Sequence, residues 1–180
     1  MKKLFAYTLL SLFTLGFSSC LRDDKQLFDS SPATRLDAII TQEKQLLESS
    51  PQGWMLQYYA GKDYTGAGYT LLMKFENGKV SIIGDNGDPE LIATSDYDIV
   101  KDQGPVLTFP TFNAVIHPLA SASLGHPEGI QGDYEFVILE TSQDRIRLRG
   151  KKWKNEMTLT RLPEGSSFEE LMASMLNIRE

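Results

Sequence analysis

The sequence predicts a mainly β protein: an antiparallel meander of about eight or nine strands, barrel-like or a sandwich, with one N-terminal and one C-terminal helix. Apolar and polar residues alternate at period two from Trp54 to about Leu162, with turn residues between the segments. On both sides of this region, apolar residues recur at helical spacing instead. We assign residues 31–180 to a single domain, since roughly 150 residues suffice for one hydrophobic core.

The N-terminal helix is predicted to begin at Pro32, because proline suits the first helical turn and Ser31 can cap it. It should end near Ser49, before the helix-breaking residues Pro51 and Gly53. Its apolar residues form one stripe that needs a partner surface, namely Leu36, Ile39, Ile40, Leu46 and Leu47.

The clearest hairpin lies between Leu71 and Ile83. Asn77 and Gly78 form its turn, because both central residues of a type I′ turn need positive φ. The residues of its inward face are predicted to be Leu71, Met73, Phe75, Val80 and Ile82.

Further strands are less clearly marked, and the chain between them contains a long loop at residues 120–132 that is rich in Gly, Ser and Pro. The predicted segments lie around residues 92–100, 106–110, 114–118, 134–141, 145–149 and 153–162. On the strand at 145–149, Ile146 and Leu148 face one side, and Arg145, Arg147 and Arg149 face the other.

The C-terminal helix is predicted after Pro163. Ser166 and Ser167 offer N-caps, and Glu169 and Glu170 stand where a capping box places acids. An apolar stripe follows that must be buried, consisting of Phe168, Leu171, Met172, Met175 and Leu176.

Residues 1–19 have the three parts of a secretory signal peptide. Lys2 and Lys3 give a positive start, an apolar run covers residues 4–15, and small residues precede Cys20. The alternative is a membrane-spanning helix, but the apolar run is shorter than the about 20 residues that such a helix needs.

Cys20 is the only cysteine, and with the two serines before it resembles the lipobox of bacterial lipoproteins, in which the thiol is acylated. Phe17 departs from the aliphatic residue that is usual there, and an ordinary secreted protein with one unpaired thiol is the alternative. Lipidation predicts that residues 20–30 form a tether to a membrane surface. Residues 21–25 resemble the acidic signal that sends Bacteroidota lipoproteins to the outer face of the outer membrane; a plain acidic tether is the other interpretation.

The net charge of the chain limits the classes of partner that it can bind. Loss of residues 1–19 would remove Lys2 and Lys3 from the 18 Lys and Arg, leaving 16 against 24 Asp and Glu. The resulting net charge of −8 argues against a nucleic-acid partner.

Several residue strings, in their order and spacing, carry a resemblance to a known family. They are Asp23-Asp24-Lys25, Leu27-Phe28-Asp29, Ser31-Pro32-Ala33, Arg35, Gly53-Trp54, Tyr58-Tyr59, Met73-Lys74-Phe75, residues 104–109, Asn113, His117 and residues 129–136. Together they resemble the Bacteroidota lipoproteins grouped as the domain of unknown function numbered 4302.

This resemblance implies a cellular location rather than a mechanism, since the family has no assigned activity. Its members look like surface lipoproteins associated with outer-membrane nutrient uptake. The implied location is the outer membrane, on the cell surface or on the periplasmic face. The implied partners are the membrane through the lipid, an outer-membrane transporter or neighbouring lipoprotein, and a carbohydrate or peptide ligand. Family members tend to be longer, which suggests that this chain is a short version.

The familiar catalytic motifs are absent from the sequence, so we predict no catalytic residue, cofactor or metal. A zinc site at His117 and His126 with Asp133 or Glu135 is the sharper alternative to ordinary loop histidines, but no ligand spacing supports it. Residues 85–88 contain calcium-type ligands, but the same residue types form turns.

Five residues are candidates for ligand binding. Asp133 and Glu135 share one face of a strand, where paired carboxylates could act on a ligand. Arg147 and Arg149 belong to a basic stripe that could bind an anion or pair with neighbouring carboxylates such as Glu140. Tyr59 is expected to be exposed and able to stack on a sugar ring, whereas Trp54 and Tyr58 should lie in the core.

The leading hypothesis is a lipid-anchored, non-enzymatic component of an outer-membrane nutrient uptake system that binds a glycan or peptide or serves as an accessory. One alternative is a glycan or peptide hydrolase whose carboxylates converge only in the fold. Another is a purely structural partner of a second lipoprotein.

Overall fold

The computed structural model describes residues 31–88, 90–102, 104–125 and 127–177. Contacts group the chain into two units, Met1–Pro32 and Ala33–Glu180. The predicted signal peptide, Cys20 and the tether lie outside the described residues. No helix among the described residues has the length and apolar character needed to cross a membrane.

The described residues form nine strands and three α-helices. The helices are α1 (Pro32–Glu48), α2 (His117–Ala120) and α3 (Phe168–Asn177), with a 3-10 helix at Lys62–Tyr64. The strands are β1 (Trp54–Tyr59), β2 (Gly68–Glu76), β3 (Lys79–Gly84), β4 (Ala93–Asp96), β5 (Asp98–Lys101), β6 (Pro105–Thr108), β7 (Glu135–Thr141), β8 (Arg145–Gly150) and β9 (Glu156–Arg161). The predicted mainly β meander with a helix near each end is confirmed.

All nine strands pair antiparallel in the order β4-β3-β2-β1-β9-β8-β7-β6-β5. β4 ends at Asp96 and β5 begins at Asp98, so only Tyr97 separates the two strands at opposite ends of that order. The two edges therefore meet at Tyr97, and the sheet is a nearly closed barrel rather than a sandwich. The single strand predicted over residues 92–100 is thus divided in two, because the chain crosses there from one sheet edge to the other.

Alternate residues of the strands fill the barrel interior, as the period of two requires. Trp54 and Tyr58 are fully buried, as predicted. Asn77 and Gly78 have φ values of 52° and 74°, so the predicted turn of the β2–β3 hairpin is confirmed. The residues predicted to face inward in this hairpin all belong to the main apolar cluster: Leu71, Met73, Phe75, Val80 and Ile82.

Helix α1 packs against the end of the barrel at which β1 begins. The indole N–H of Trp54 donates a hydrogen bond to the Leu47 carbonyl oxygen at 2.8 Å. The carboxylate of Glu48 accepts hydrogen bonds from the Tyr97 hydroxyl at 2.7 Å and from the Gly78 backbone N–H at 2.9 Å. The helix thereby joins β1, the β2–β3 turn and the point where the two sheet edges meet.

Glu43 is a buried charged residue of α1. Its Oε1 accepts a hydrogen bond from the Thr141 hydroxyl at 2.7 Å, while its Oε2 is buried with no hydrogen-bond partner in the described structure. Burial raises the pKa of the Glu43 carboxyl, and the hydrogen bond from Thr141 opposes that rise.

Helix α3 packs on the outside of the barrel. The Ser167 hydroxyl accepts a hydrogen bond from the Glu170 backbone N–H at 3.2 Å, so the predicted N-cap is confirmed. Phe168 and Leu171 pack against a second apolar cluster that includes Leu72 and Ile83. This contact explains why outward-facing residues of the β2–β3 hairpin are buried.

The opposite end of the barrel carries a long connection between β6 and β7. The strand predicted at residues 114–118 is wrong, because this segment is a turn that leads into α2. Val115 and Ile116 are buried, and their backbone N–H groups donate to the Asn113 side-chain oxygen at 3.0 and 3.3 Å. The short apolar run in this segment therefore forms a buried turn. Periodicity alone does not distinguish such a run from a strand.

Candidate functional site

Asp133 lies just before β7 and is held in place by four hydrogen bonds. Its backbone N–H donates to the Tyr58 hydroxyl at 2.6 Å, and that hydroxyl donates to the Asp133 carbonyl oxygen at 2.9 Å. Its carboxylate accepts hydrogen bonds from the backbone N–H groups of Lys152 and Trp153 at 2.7 and 3.1 Å. Burial raises the pKa of the Asp133 carboxyl, and these backbone N–H groups oppose the rise. Asp133 is therefore a fixed structural anchor.

Two glycines provide the space that Asp133 and its partners occupy. A Cβ atom on Gly132 would lie 2.3 Å from the Tyr58 hydroxyl oxygen, and one on Gly150 would lie 2.1 Å from a carboxylate oxygen of Asp133. Both distances are shorter than real contacts allow. Tyr58, Asp133 and the β8–β9 turn can thus approach each other only because these two positions lack side chains.

Asn113 lies in the loop between β6 and α2 and holds this loop in place through hydrogen bonds. Its side-chain N–H groups donate to the Ala93 carbonyl oxygen at 2.9 Å and to the Ser95 hydroxyl at 3.2 Å, both on edge strand β4. Its backbone N–H donates to Nδ1 of His117 at 3.0 Å, so this nitrogen carries no proton. Burial lowers the pKa of His117, and a backbone hydrogen bond with Phe109 opposes the shift. The imidazole is therefore neutral and held in one orientation.

Phe112, His117 and Tyr134 form a row of three rings, which we call the aromatic ladder. The centroids of His117 and Tyr134 are 4.7 Å apart with the rings stacked at 26°. The centroids of Phe112 and His117 are 5.5 Å apart at 39°. Phe112 is 69% exposed and Tyr134 is 41% exposed. The ladder therefore presents two aromatic rings to solvent from a rigid support.

A cleft of about 390 Å³ includes Tyr134 in its wall, and we call it the Tyr134 cleft. Lys151 forms ion pairs with Asp102 at 3.2 Å and with Glu135 at 3.4 Å. The ammonium of Lys152 lies 4.5 Å from the centre of the Trp153 ring. The residues that line the cleft are Ala120, Gly132, Asp133, Tyr134, Glu135, Lys151 and Lys152.

The structure brings together two of the five candidate residues. Asp133 and Glu135 both line the Tyr134 cleft. Arg147 lies on the outer face of β8 and forms ion pairs with Glu140 at 3.1 Å and Glu156 at 2.9 Å, which matches the predicted surface pairing.

Arg149 and Tyr59 lie apart from this cleft. Arg149 is exposed on β8, where it pairs in register with Glu156 of β9. Tyr59 is 38% exposed, as predicted, and its ring packs edge-on against Tyr64 with centroids 5.7 Å apart. These residues form an outer surface of the barrel rather than part of one site.

Among the described residues, no group of three or more His, Cys, Asp or Glu side chains could hold a metal ion. His126 of the zinc alternative lies outside them. In the loop after β3, Asp85 accepts a hydrogen bond from the Thr70 backbone N–H at 3.0 Å, and Asp88 accepts one from Glu90 at 2.9 Å. These contacts support the predicted turn role of the loop.

Sequence reasoning missed the ladder, because its rings come from a loop and a strand end that are separated by the long connection. The sequence predicts Tyr134 only as the first residue of the strand at residues 134–141. No local signal in the sequence marks the ladder, since Phe112 and Tyr134 are 22 positions apart.

The fold and the site together define a nearly closed antiparallel β-barrel with a helix against one end and a cleft at the other. The chain belongs to the family described as a domain of unknown function (DUF4302), whose family model matches residues 24–180. This result confirms the domain family predicted from the residue strings. No curated protein and no solved structure matches the chain significantly.

Proposed function

We propose that this protein is a lipid-anchored lipoprotein of the Bacteroidota type that binds a ligand without converting it, as a component or accessory of an outer-membrane nutrient uptake system. The sequence before residue 31 supports the anchor, since the predicted signal peptide of residues 1–19 ends directly before the only cysteine, Cys20. The proposed location is the outer membrane, with the domain on the cell surface.

The main observation in support of a binding role is that Tyr134 belongs both to the aromatic ladder and to the wall of the Tyr134 cleft. Exposed Tyr134 lines a concave region whose size falls in the range of about 300–1,000 Å³ that is typical of small-molecule sites, and the ladder continues from Tyr134 through His117 to exposed Phe112. Large exposed aromatic rings on a rigid support are a common feature of binding sites.

The carboxylates of the cleft favour binding over catalysis. Asp133 accepts two backbone hydrogen bonds, and Glu135 is paired with Lys151. A hydrolase would instead need a carboxylate that is available to exchange a proton or attack a ligand. A hydrolase remains the alternative function, and the experiment below separates it from binding.

The anchor is tested by metabolic labelling with a fatty-acid probe. We expect label on the parent protein and none on Cys20→Ala, because the thiol is the proposed site of acylation. Equal labelling of both proteins, or none on the parent, would contradict the anchor. Surface location is then tested by protease treatment of intact cells, with a periplasmic protein as the protected control.

The binding role is tested on the intact protein in detergent with a glycan array, a peptide library and a panel of glycan and peptide hydrolase substrates. We expect binding without turnover. Turnover that Glu135→Gln abolishes, while the variant keeps the thermal stability of the parent, would replace this proposal with the hydrolase.

A further inference from the structure

We propose that the Tyr134 cleft and the aromatic ladder bind a neutral sugar. In this arrangement, Tyr134 packs against the apolar face of one sugar ring, Phe112 packs against a neighbouring ring of the same sugar chain, and Glu135 and Lys151 exchange hydrogen bonds with the hydroxyl groups next to Tyr134. This inference deepens the proposed function by naming a ligand class, and it rests on that function.

The exposure of the ladder points to a ligand with an apolar face. Phenylalanine is usually buried, yet Phe112 is 69% exposed at one end of the ladder, and Tyr134 is 41% exposed at the other end. The flat faces of sugar rings carry C–H groups, which pack well against the electron-rich faces of aromatic rings. A sugar would therefore remove from water the apolar surface that the protein alone leaves exposed.

The rings are held in place before a ligand arrives. His117 lies between Phe112 and Tyr134 and accepts the backbone N–H of Asn113. Tyr134 directly follows Asp133, whose backbone is fixed by Tyr58. A site that is already ordered loses little conformational entropy on binding, which favours a weakly interacting neutral ligand.

The charges in the cleft favour a neutral ligand over an ionic one. Two carboxylates and two ammonium groups line it, so their formal charges cancel. The Lys151 ammonium already contacts Asp102 and Glu135. An acidic sugar or a peptide carboxylate would have to displace such a pair, whereas a hydroxyl can donate to a carboxylate and accept from an ammonium at the same time.

The strand pairing disfavours an extended peptide. Such peptides commonly gain affinity by adding a strand to a free sheet edge. At the cleft, β7 is already paired with β6 on one side and β8 on the other. The edge of β4 is also engaged, since Asn113 binds the Ala93 carbonyl and the Thr111 hydroxyl accepts the Asp96 N–H at 2.7 Å.

The test uses the intact protein in detergent and an array of neutral oligosaccharides, oligosaccharides with uronic or sialic acids, and peptides. We expect binding among the neutral oligosaccharides. The best neutral oligosaccharide is then titrated calorimetrically against the parent, Phe112→Ala, Tyr134→Ala and Tyr134→Phe. Each alanine variant should bind at least about tenfold more weakly, equivalent to about 1.4 kcal/mol, while Tyr134→Phe should retain most of the affinity.

Tyr59→Ala is the matched control, because Tyr59 has nearly the same exposure as Tyr134, 38% against 41%, and does not line the cleft. Its affinity should equal that of the parent. Binding of no neutral sugar, or a preference for acidic sugars or peptides, would overturn the proposal. So would neutral-sugar binding that is unchanged in both alanine variants, although the broader binding role would then stand. Turnover of the sugar would instead overturn the non-enzymatic function.

Discussion

The hydroxyl of Tyr58 joins both backbone polar groups of Asp133, a residue 75 positions later in the chain, by accepting the N–H at 2.6 Å and donating to the carbonyl at 2.9 Å. Tyr58 comes from the interior face of β1, and Asp133 precedes β7. Burial raises the pKa of the Tyr58 hydroxyl, so it stays protonated and keeps both bonds. One side chain thus links the barrel interior to the Tyr134 cleft.

Tyr58→Phe should destabilise the protein. The substitution keeps the ring but leaves the buried N–H and carbonyl of Asp133 without their partner, at a cost of about 1–3 kcal/mol. Urea unfolding followed by circular dichroism measures the loss. Tyr59→Phe is the control, since the Tyr59 ring is exposed, and its stability should equal that of the parent. Equal losses in the two variants would contradict this role of Tyr58.

Gly132→Ala and Gly150→Ala should each destabilise the fold by about 1–3 kcal/mol, because an added methyl group would overlap Tyr58 or Asp133. Thermal unfolding provides the measurement. Gly87→Ala is the matched control, because a Cβ atom at that position meets nothing within 4 Å. Equal melting temperatures for all three variants would contradict the close approach of Tyr58, Asp133 and the β8–β9 turn.

Glu43→Gln should change how stability depends on pH. Burial raises the pKa of Glu43 in the folded protein, so the folded state holds a proton that the unfolded state has already released. The free energy of unfolding of the parent should therefore fall as pH rises from the unfolded pKa, near 4.5, through the raised folded pKa. Glutamine removes this contribution.

The measured quantity is the difference in unfolding free energy between Glu43→Gln and the parent at several pH values between 4 and 8. It should shift in favour of the variant as pH rises, by on the order of 1 kcal/mol. Other titrating groups, Asp133 included, cancel in this difference. A difference that does not vary with pH would show that burial of Glu43 does not disfavour its charge.

Asn113→Ala should cost about 2–4 kcal/mol, since its buried side chain serves four hydrogen-bond partners in the loop and on β4. By loosening the loop it should also expose His117, whose pKa is lowered by burial, and an NMR titration would detect a rise of the imidazole pKa toward its usual value. Asn86→Ala is the comparison, because Asn86 forms one half-buried bond, to the Val115 carbonyl at 2.8 Å. A smaller loss for Asn113 than for Asn86 would contradict the account.

Local patterns predicted much of the architecture. The β2–β3 hairpin follows from Asn77-Gly78 and the alternation around it, and α1 follows from Pro32 and an apolar stripe. The closure of the barrel could not be predicted in this way, since nothing local marks Tyr97 as the point where two distant edges meet. Pairing between strands far apart in sequence is a property of the whole sheet.

The site was predicted less completely than the fold. Asp133 and Glu135 were predicted on one face of a strand; both line the Tyr134 cleft, but β7 begins only at Glu135, and Asp133 is held by separate hydrogen bonds to the β8–β9 turn. Phe112 and His117 reach Tyr134 only through the fold of a long loop, whose course depends on the buried contacts of Asn113. Such contacts leave no periodic signal in the chain.

The single-residue step at Tyr97 also bears on how the barrel comes apart. The first and last strands of the order are joined there by one residue, Tyr97, whose hydroxyl donates a hydrogen bond to Glu48 and whose ring packs on Phe75. Fraying of one sheet edge should therefore disturb the other edge as well. We expect the barrel to unfold in one cooperative transition, in which partly opened forms with unpaired strand edges stay scarce.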